Sequence, residues 1–489
     1  MKHFVRFNPR NPCLMADGYK FSHAAAGAVH KWGQYPPHTE RQFSYIEARV
    51  GSKFSEGVFF GLQYFLKEYM TVRITKKDVE EAEYFCKLYG VPFDTEKFMD
   101  IVNRTDGYWD VTIEAIPEGS VVPKSNVQVQ IYNNSPESFW QPSFLETVLQ
   151  RAVWYGSTVA TLSREAKKVI RRGLEISADN LDGLPWKLHD FGARGVSCHE
   201  QAMIGGAAHL VNFMGSDTVE GVVMANYYYG EQMAANTIVA TEHSTTISWG
   251  EIREPDALIN LIDQFGDKYK IIASVADSFD FFRVVEEYWG ERLLQRVKDW
   301  GGTIVVRPDS GDATTIPVEG IDRLMKKVGH TLNTKRFRLL PNYFRFVQGD
   351  GMNLESVEQL DNNLIAAGIS TDNLTRGMGG GLLMKVDRDT MHYAQKPGLI
   401  EIRNPDGTIE YREIRKTPKT DTGKTSKGGR LALIESCGIG SSTIETIKYD
   451  DLNGRRNLLR PVWKTGELLI DSTFAQVREN AKLDYHYAA

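Results

Sequence analysis

Cysteine is scarce in this chain: Cys13, Cys86, Cys198 and Cys437 are the four among 489 residues, and no two form a CxxC pair. That spacing argues against a disulfide framework or a structural zinc site and leads us to expect a reducing, cytoplasmic setting. Long apolar runs are missing too. None approaches the ~18 consecutive apolar residues of a membrane span, and the opening Met1-Lys2-His3-Phe4-Val5-Arg6 lacks the apolar core of a secretion signal. Nor is there an excess of positive charge. A net charge of -5 with 25% charged residues gives no electrostatic footprint for nucleic acid. Neither a membrane nor a nucleic acid is therefore an expected partner.

What is present is enough apolar material, 42% of the residues, to bury a large core in two domains. Between His189 and Gly381 one unit recurs: an apolar run, a short turn rich in Asp, Gly and Ser, then a helical pattern. The turns read His189-Asp190-Phe191-Gly192, Gly215-Ser216-Asp217-Thr218, Glu242-His243-Ser244-Thr245 and Ala276-Asp277-Ser278. They continue at Arg307-Pro308-Asp309-Ser310-Gly311, Gln348-Gly349-Asp350-Gly351 and Gly379-Gly380-Gly381. Runs such as Ile271-Ile272-Ala273-Ser274-Val275 suit parallel strands buried on both faces. The expected fold is α/β: an irregular (β/α) barrel over residues 151–389, with its catalytic loops gathered after the strands. The barrel is inserted into an α+β domain of residues 1–150, completed by about 390–489. Within that domain the pattern predicts helices over Glu56–Met70 and Asp78–Tyr89 and strands between Val111 and Tyr132; a long helix from Phe144 to Glu175 leads into the barrel. Beyond the barrel it predicts strands from Tyr393 to Tyr411, a basic loop from Arg415 to Arg430 and a helix over Thr473–Lys482.

The strand-end residues can carry chemistry. Arg307, Arg388, Lys396, Lys416 and Lys424 fall at or just after predicted strand ends, and cations converging on glycine turns make a phosphate or pyrophosphate cradle. Gly349, Gly379 and Gly380 allow backbone N–H groups to approach a ligand, although turn geometry alone also explains such glycines. Asp217, Asp277, Asp309 and Asp350 at successive strand ends suit a magnesium ion, ribose hydroxyls or a polar ring; each also reads as a helix N-cap. His243, beside Glu242 at a strand end, reads as a core histidine, a base or a phosphoryl acceptor. Phe191 reads as core or as a platform for a flat heterocycle.

Taken together these segments resemble the nicotinate/nicotinamide phosphoribosyltransferase family, on its nicotinamide side. The match also takes in Arg194-Gly195, Asp17-Gly18-Tyr19-Lys20, Tyr35-Pro36-Pro37 and Ser426-Lys427-Gly428-Gly429-Arg430, so it spans nearly the whole chain. The resemblance implies a type II phosphoribosyltransferase fold and a homodimer with shared active sites. It also implies condensation of nicotinamide with 5-phosphoribosyl 1-pyrophosphate, using Mg²⁺ held mainly by the pyrophosphate and ATP as activating co-substrate. By the same resemblance Phe191 and a partner's Tyr19 sandwich the pyridine ring, and Asp217 accepts from the carboxamide. Arg307 contacts the carboxamide or ribose and Asp309 the ribose hydroxyls, with Arg194 and Asp17 also among the substrate-binding positions. Gly349, Asp350, Gly379 and Gly380 hold the ribose and its phosphate. Arg49, Arg388, Lys396, Lys416 and Lys424 grip pyrophosphate or ATP, and His243 takes a phosphoryl group with Glu242 and Asp277 beside it. The chain departs from the family pattern at Ala193, Met378, Ala394 and Cys198-His199. Two alternatives remain: a nicotinate phosphoribosyltransferase, which Asp217 disfavours by repelling a carboxylate, and a non-catalytic nucleotide-binding protein.

Overall fold

The computed structural model describes residues 6–420, 425–438 and 441–483. The chain divides into two compact units, one of residues 1–158, 228–230 and 387–489, the other of residues 159–227 and 231–386. The helix Glu146–Ser177 carries the chain from the first into the second. Among the described residues no helix is long and apolar enough to cross a membrane.

The first unit is built on an antiparallel sheet drawn from both ends of the chain. Its strands lie in the order Ile409–Glu413, Tyr393–Arg403, Thr39–Ala48, Val127–Asn133, Val111–Ala115, Arg460–Lys464 and Glu467–Leu468. Val111, Ile113, Val127, Val129 and Ile131 are buried in a core that also takes the aromatic group Phe98, Trp109, Trp140 and Phe144. The helix Lys76–Tyr89 starts at a reciprocal cap between Thr75 and Asp78 and stops at Gly90, whose φ of 86° is left-handed, as a C-terminal glycine allows. The segment Glu56–Met70 is not one helix as its apolar spacing predicts. Glu56–Val58 is a strand paired with Val121–Pro123, and the helix begins only at Leu62. Gly61 marks the break: its φ is 108°, and a Cβ there would come 2.8 Å from the Ala152 carbonyl oxygen.

The second unit holds seven parallel strands. Their spatial order is Gly215–Ser216, Leu188–Asp190, Leu374–Met378, Phe344–Gln348, Thr303–Arg307, Ile271–Val275 and Val239–Ala240. From Leu374–Met378 to Val239–Ala240 this reverses the chain order, and an isolated parallel bridge pairs Gly215 of one edge strand with Asn236, just before the other. Ile272, Ile304 and Val306 are buried, which is why the runs 271–275 and 303–306 carry no polar alternation. Helices such as His199–Leu210, Glu254–Phe265, Ile316–Val328 and Leu354–Ala366 return the chain between strands. All the strands therefore end on one side, and their following loops meet there.

Candidate active site

Each of the seven strands delivers a candidate residue within three positions of its end. Asp217 follows Gly215–Ser216, Phe191 follows Leu188–Asp190, and Glu242 and His243 follow Val239–Ala240. Asp277, Asp309, Gly349 with Asp350, and Gly379 with Gly380 follow the remaining four, and Arg307 is the last residue of its own strand. A cavity of about 790 Å³ opens among these loops, lined by Phe191, Arg194, Asp217, Glu242, His243, Arg307, Asp309, Gly349 and Asp350. Asp277 stands behind His243 instead, with Oδ1 3.0 Å from Nε2 and its side chain only 5% exposed. Gly379 touches the backbone of Phe191, where a Cβ would lie 3.2 Å from the carbonyl oxygen, while nothing lies within 4 Å of a Cβ at Gly380. Packing thus explains the first glycine but not the second, which leaves Gly380 free for close approach of a ligand.

Phe191 is seated by glycines. A Cβ at Gly377 would come 2.1 Å from its ring and one at Gly349 3.3 Å, and its backbone N–H donates to Met378 O at 3.1 Å. The half-buried ring lies 4.8 Å from that of His189 at a tilt of 41°. Truncating it removes a stacking face without exposing a wide core. Phe191→Ala is expected to raise the KM for a flat heterocyclic substrate by about tenfold with little change in kcat, which steady-state kinetics will read directly.

Asp217 is held from two sides. His189 Nε2 is 3.0 Å from its Oδ1, and Thr237 Oγ1 donates to the same oxygen. Burial alone would raise the Asp217 carboxyl, but these two hydrogen bonds, with the charges of His189 and Arg307, hold it below its ordinary value. The opposite holds for Asp309: burial raises it, aided by Asp277 and Asp350, despite Arg307 and His243 nearby. Arg307 Nη2 lies 3.3 Å from Asp309 Oδ2, while its buried Nε has no partner among the described residues. Below them Asp190 is fully buried, and burial pushes it up to about 6. It accepts from Gly192 N at 2.7 Å and so shapes the turn that presents Phe191. Glu242 accepts from Ser244 Oγ. A second cavity of about 620 Å³ shares Phe191, Asp217 and Arg307 with the first and runs along the apolar strand interior past Ala273, Val305 and Val347.

The remaining candidates belong to the first unit. Asp17 Oδ2 accepts from Thr147 Oγ1 at 2.7 Å. Tyr19 is 57% exposed and stands edge-on to His23 at 5.3 Å. Arg49 Nε donates to His392 O at 3.1 Å. Lys396 is brought below its ordinary value first by burial, against the pull of Glu146, and then by the charges of Arg49, Lys416 and Arg388. Four cations so close repel one another, and an anion among them would relieve that repulsion. Lys424 lies outside the described residues. His189, Thr237 and Gly377 carry no functional signal in the sequence. The first two stand inside a strand and just before another, and nothing local marks them as partners of Asp217.

The comparisons bear on both units. Residues 11–113 match the model described as nicotinamide phosphoribosyltransferase, N-terminal domain, and residues 186–467 that of the nicotinate phosphoribosyltransferase (NAPRTase) family. A nicotinamide phosphoribosyltransferase of Xanthomonas campestris pv. campestris is 41% identical over 475 residues, covering 96% of this chain and 98% of its own. The chain belongs to the nicotinamide phosphoribosyltransferase family. A second such enzyme, from Acinetobacter baylyi, is 26% identical over 503 residues, with 96% of each chain covered. Among solved structures, nicotinate-nucleotide pyrophosphorylase from Pyrococcus furiosus superposes with a TM-score of 0.59 at 15% identity, covering 98% of this chain and 97% of that one. Human nicotinic acid phosphoribosyltransferase gives 0.51 at 15% identity, with 97% and 93% covered. These proteins thus share the fold, a parallel α/β sheet with an antiparallel sheet from both termini, at identities too low to carry over chemistry.

Proposed function

We infer that the chain joins nicotinamide to 5-phosphoribosyl 1-pyrophosphate, giving nicotinamide mononucleotide and pyrophosphate, a step of NAD salvage. The observation that carries this reading is Asp217, kept as an anion by His189 and Thr237 on the cavity that also holds Phe191. A carboxylate at that place accepts from the N–H₂ of a carboxamide and repels nicotinate. Phe191 stacks on the pyridine ring. Arg307 donates to the carboxamide or ribose, Asp309 accepts from the ribose hydroxyls, and Gly349, Asp350, Gly379 and Gly380 take the ribose and its 5-phosphate. Arg194 and Asp17 complete the substrate-binding set.

The ring nitrogen forms a bond to the ribosyl C1 as the C1–O bond breaks and its electron pair departs on pyrophosphate. The transition state is a ribosyl cation, so the protein needs to place the ring in line and neutralise the leaving anion, not to supply a nucleophile. Lys396, Arg49, Arg388 and Lys416, with Lys424, are the cations for that anion. Asp309 and Asp350 offer hard oxygens to Mg²⁺, yet among the described residues no group of three or more His, Cys, Asp or Glu is arranged to hold a metal. A magnesium ion would come bound to pyrophosphate and add charge neutralisation there. His243 receives the γ-phosphoryl group of ATP, releasing ADP, and water later removes it; Asp277 orients the ring and Glu242 stands beside it.

Incubation with nicotinamide or nicotinate, each with and without ATP, tests the reading. Nicotinamide is expected to turn over, faster with ATP, and nicotinate poorly; equal turnover of the two overturns it. We also infer a homodimer in which the exposed Tyr19 serves the partner's site. Chains inactivated separately by Asp309→Ala, in a loop after a parallel strand, and by Tyr19→Ala should regain part of their activity when mixed, through hybrid sites. Mixed dimers that form without any recovery would refute shared sites.

A further inference from the structure

A cavity of about 320 Å³ lies wholly within the first unit, and none of its lining residues takes part in the reaction described above. Its walls are apolar and buried: Phe59, Leu62, Leu66, Ile116 and Leu458. The polar groups on its floor already satisfy one another. Glu118 accepts from Gln63 N at 2.6 Å and from Tyr229 Oη at 2.7 Å. The Gln63 side chain donates to Ser472 O at 2.9 Å and accepts from Ser472 N at 2.7 Å. Asp471, at the exposed edge, is paired with Lys67 at 2.6 Å. With both carboxylates engaged and no histidine or cysteine among its lining residues, the cavity holds no free base or activated nucleophile.

Two cations at the cavity have no counter-ion. Arg456 and Arg460 line it and are exposed, and neither forms an ion pair or a side-chain hydrogen bond among the described residues. The segment that presents them is anchored. Asn457 Oδ1 accepts from Leu433 N at 3.0 Å and from Leu459 N at 3.1 Å, and Leu458 N donates to Leu433 O at 2.7 Å. Arg460 then enters the sheet opposite Ala115, itself a lining residue. We propose that this cavity binds a small organic carboxylate, its apolar body against Phe59, Leu62 and Ile116 and its charge between Arg456 and Arg460. A planar guanidinium takes a carboxylate through two parallel hydrogen bonds, and burial of the apolar body adds to that attraction. The volume falls at the lower end of ligand sites, about 300–1,000 Å³, which suits a short chain or a single ring. Because the cavity offers no reacting group, the acid is held there and not transformed.

Methyl-labelled isoleucine in the full chain reads the site directly, because Ile116 and Ile470 line the cavity and Ile304 lies in a strand of the second unit. Hexanoate, used as the probe, should shift the Ile116 and Ile470 methyls to saturation at one equivalent per chain and leave Ile304 unmoved. Ile116→Val and Ile470→Val assign the two signals. Arg456→Gln and Arg460→Gln should each weaken hexanoate by about tenfold or more, the loss of a charge-assisted hydrogen bond. Both arginines are exposed, so neither change disturbs the core, and basal turnover should stay as it is. Hexanamide, which has the chain without the charge, should bind at least as weakly as hexanoate binds the two variants. The absence of a saturable shift with hexanoate, undiminished binding in both arginine variants, or hexanamide binding as well as hexanoate overturns the proposal. Methyl shifts that follow protein concentration and not hexanoate would assign the cavity to a second copy of the chain, and overturn it too. Tighter binding of hexyl phosphate than of hexanoate would overturn the choice of a carboxylate.

Discussion

His243→Ala is expected to abolish stimulation by ATP and to remove most of the activity, the largest single effect at this site. The pair behind it explains why. Asp277 Oδ1 lies 3.0 Å from His243 Nε2, and the carboxylate is nearly buried while the imidazole is 42% exposed. Accepting from Nε2–H fixes the tautomer and leaves the lone pair on Nδ1. A phosphoryl group placed there adds about −1.5 to −2 charge and new acceptor oxygens on the cavity that Arg307 and Asp309 share. Coupling of this kind between two ligands typically amounts to about 5–150-fold, and that factor is what the substitution removes. Incubation with ATP labelled in the γ-phosphate should yield a protein-bound label that is labile in acid and stable in base, and His243→Ala should lack it. Asp277→Asn keeps the bulk but weakens control of the tautomer, so its label should form more slowly. Label retained at full stoichiometry in His243→Ala would remove this residue from the mechanism.

Two of the parallel strands were legible because burial on both faces leaves them nearly continuous apolar runs. The runs around Ile272 and Ile304 could be read as strands without any tertiary knowledge. The strand-end carboxylates were legible for a related reason: a turn of Asp, Gly and Ser after such a run recurs seven times, more often than capping alone requires. What the sequence could not convey was pairing in space. His189 and Thr237 hold Asp217 from two different strand connections, and the chain separation of 28 and 20 residues hides them from any local pattern. Gly377 looked like one more small residue in a strand, yet the ring of Phe191 occupies the space its Cβ would fill.

The segment Glu56–Met70 shows the limit from the other direction. Its apolar spacing fits a helix, but Gly57 and Gly61 break the pattern, and the pairing of Glu56–Val58 with Val121–Pro123 decides the first turn as strand. Tertiary pairing outweighed local periodicity there.

Asp217→Asn is expected to narrow the preference for nicotinamide over nicotinate, or to invert it. On the proposed reading the native carboxylate accepts from the carboxamide N–H₂ and opposes a second carboxylate. Asparagine keeps the shape and can donate to nicotinate through its own N–H₂. His189 and Thr237 remain to orient it, so the loss should fall on discrimination more than on folding. Removing or mispairing one buried hydrogen bond costs about 1–3 kcal/mol, or roughly 5–150-fold in the ratio of the two kcat/KM values. The pH dependence separates this account from simple damage. Because the folded carboxyl is held below its ordinary value, its contribution is fully present above the usual carboxylate range and is lost only as pH falls through the lower folded value. The native preference should therefore stay level through neutral pH and decline only in acid, while Asp217→Asn should show no such decline. Substrate competition measured across that range checks both, and a ratio of kcat/KM values unchanged in Asp217→Asn would exclude Asp217 as the selector.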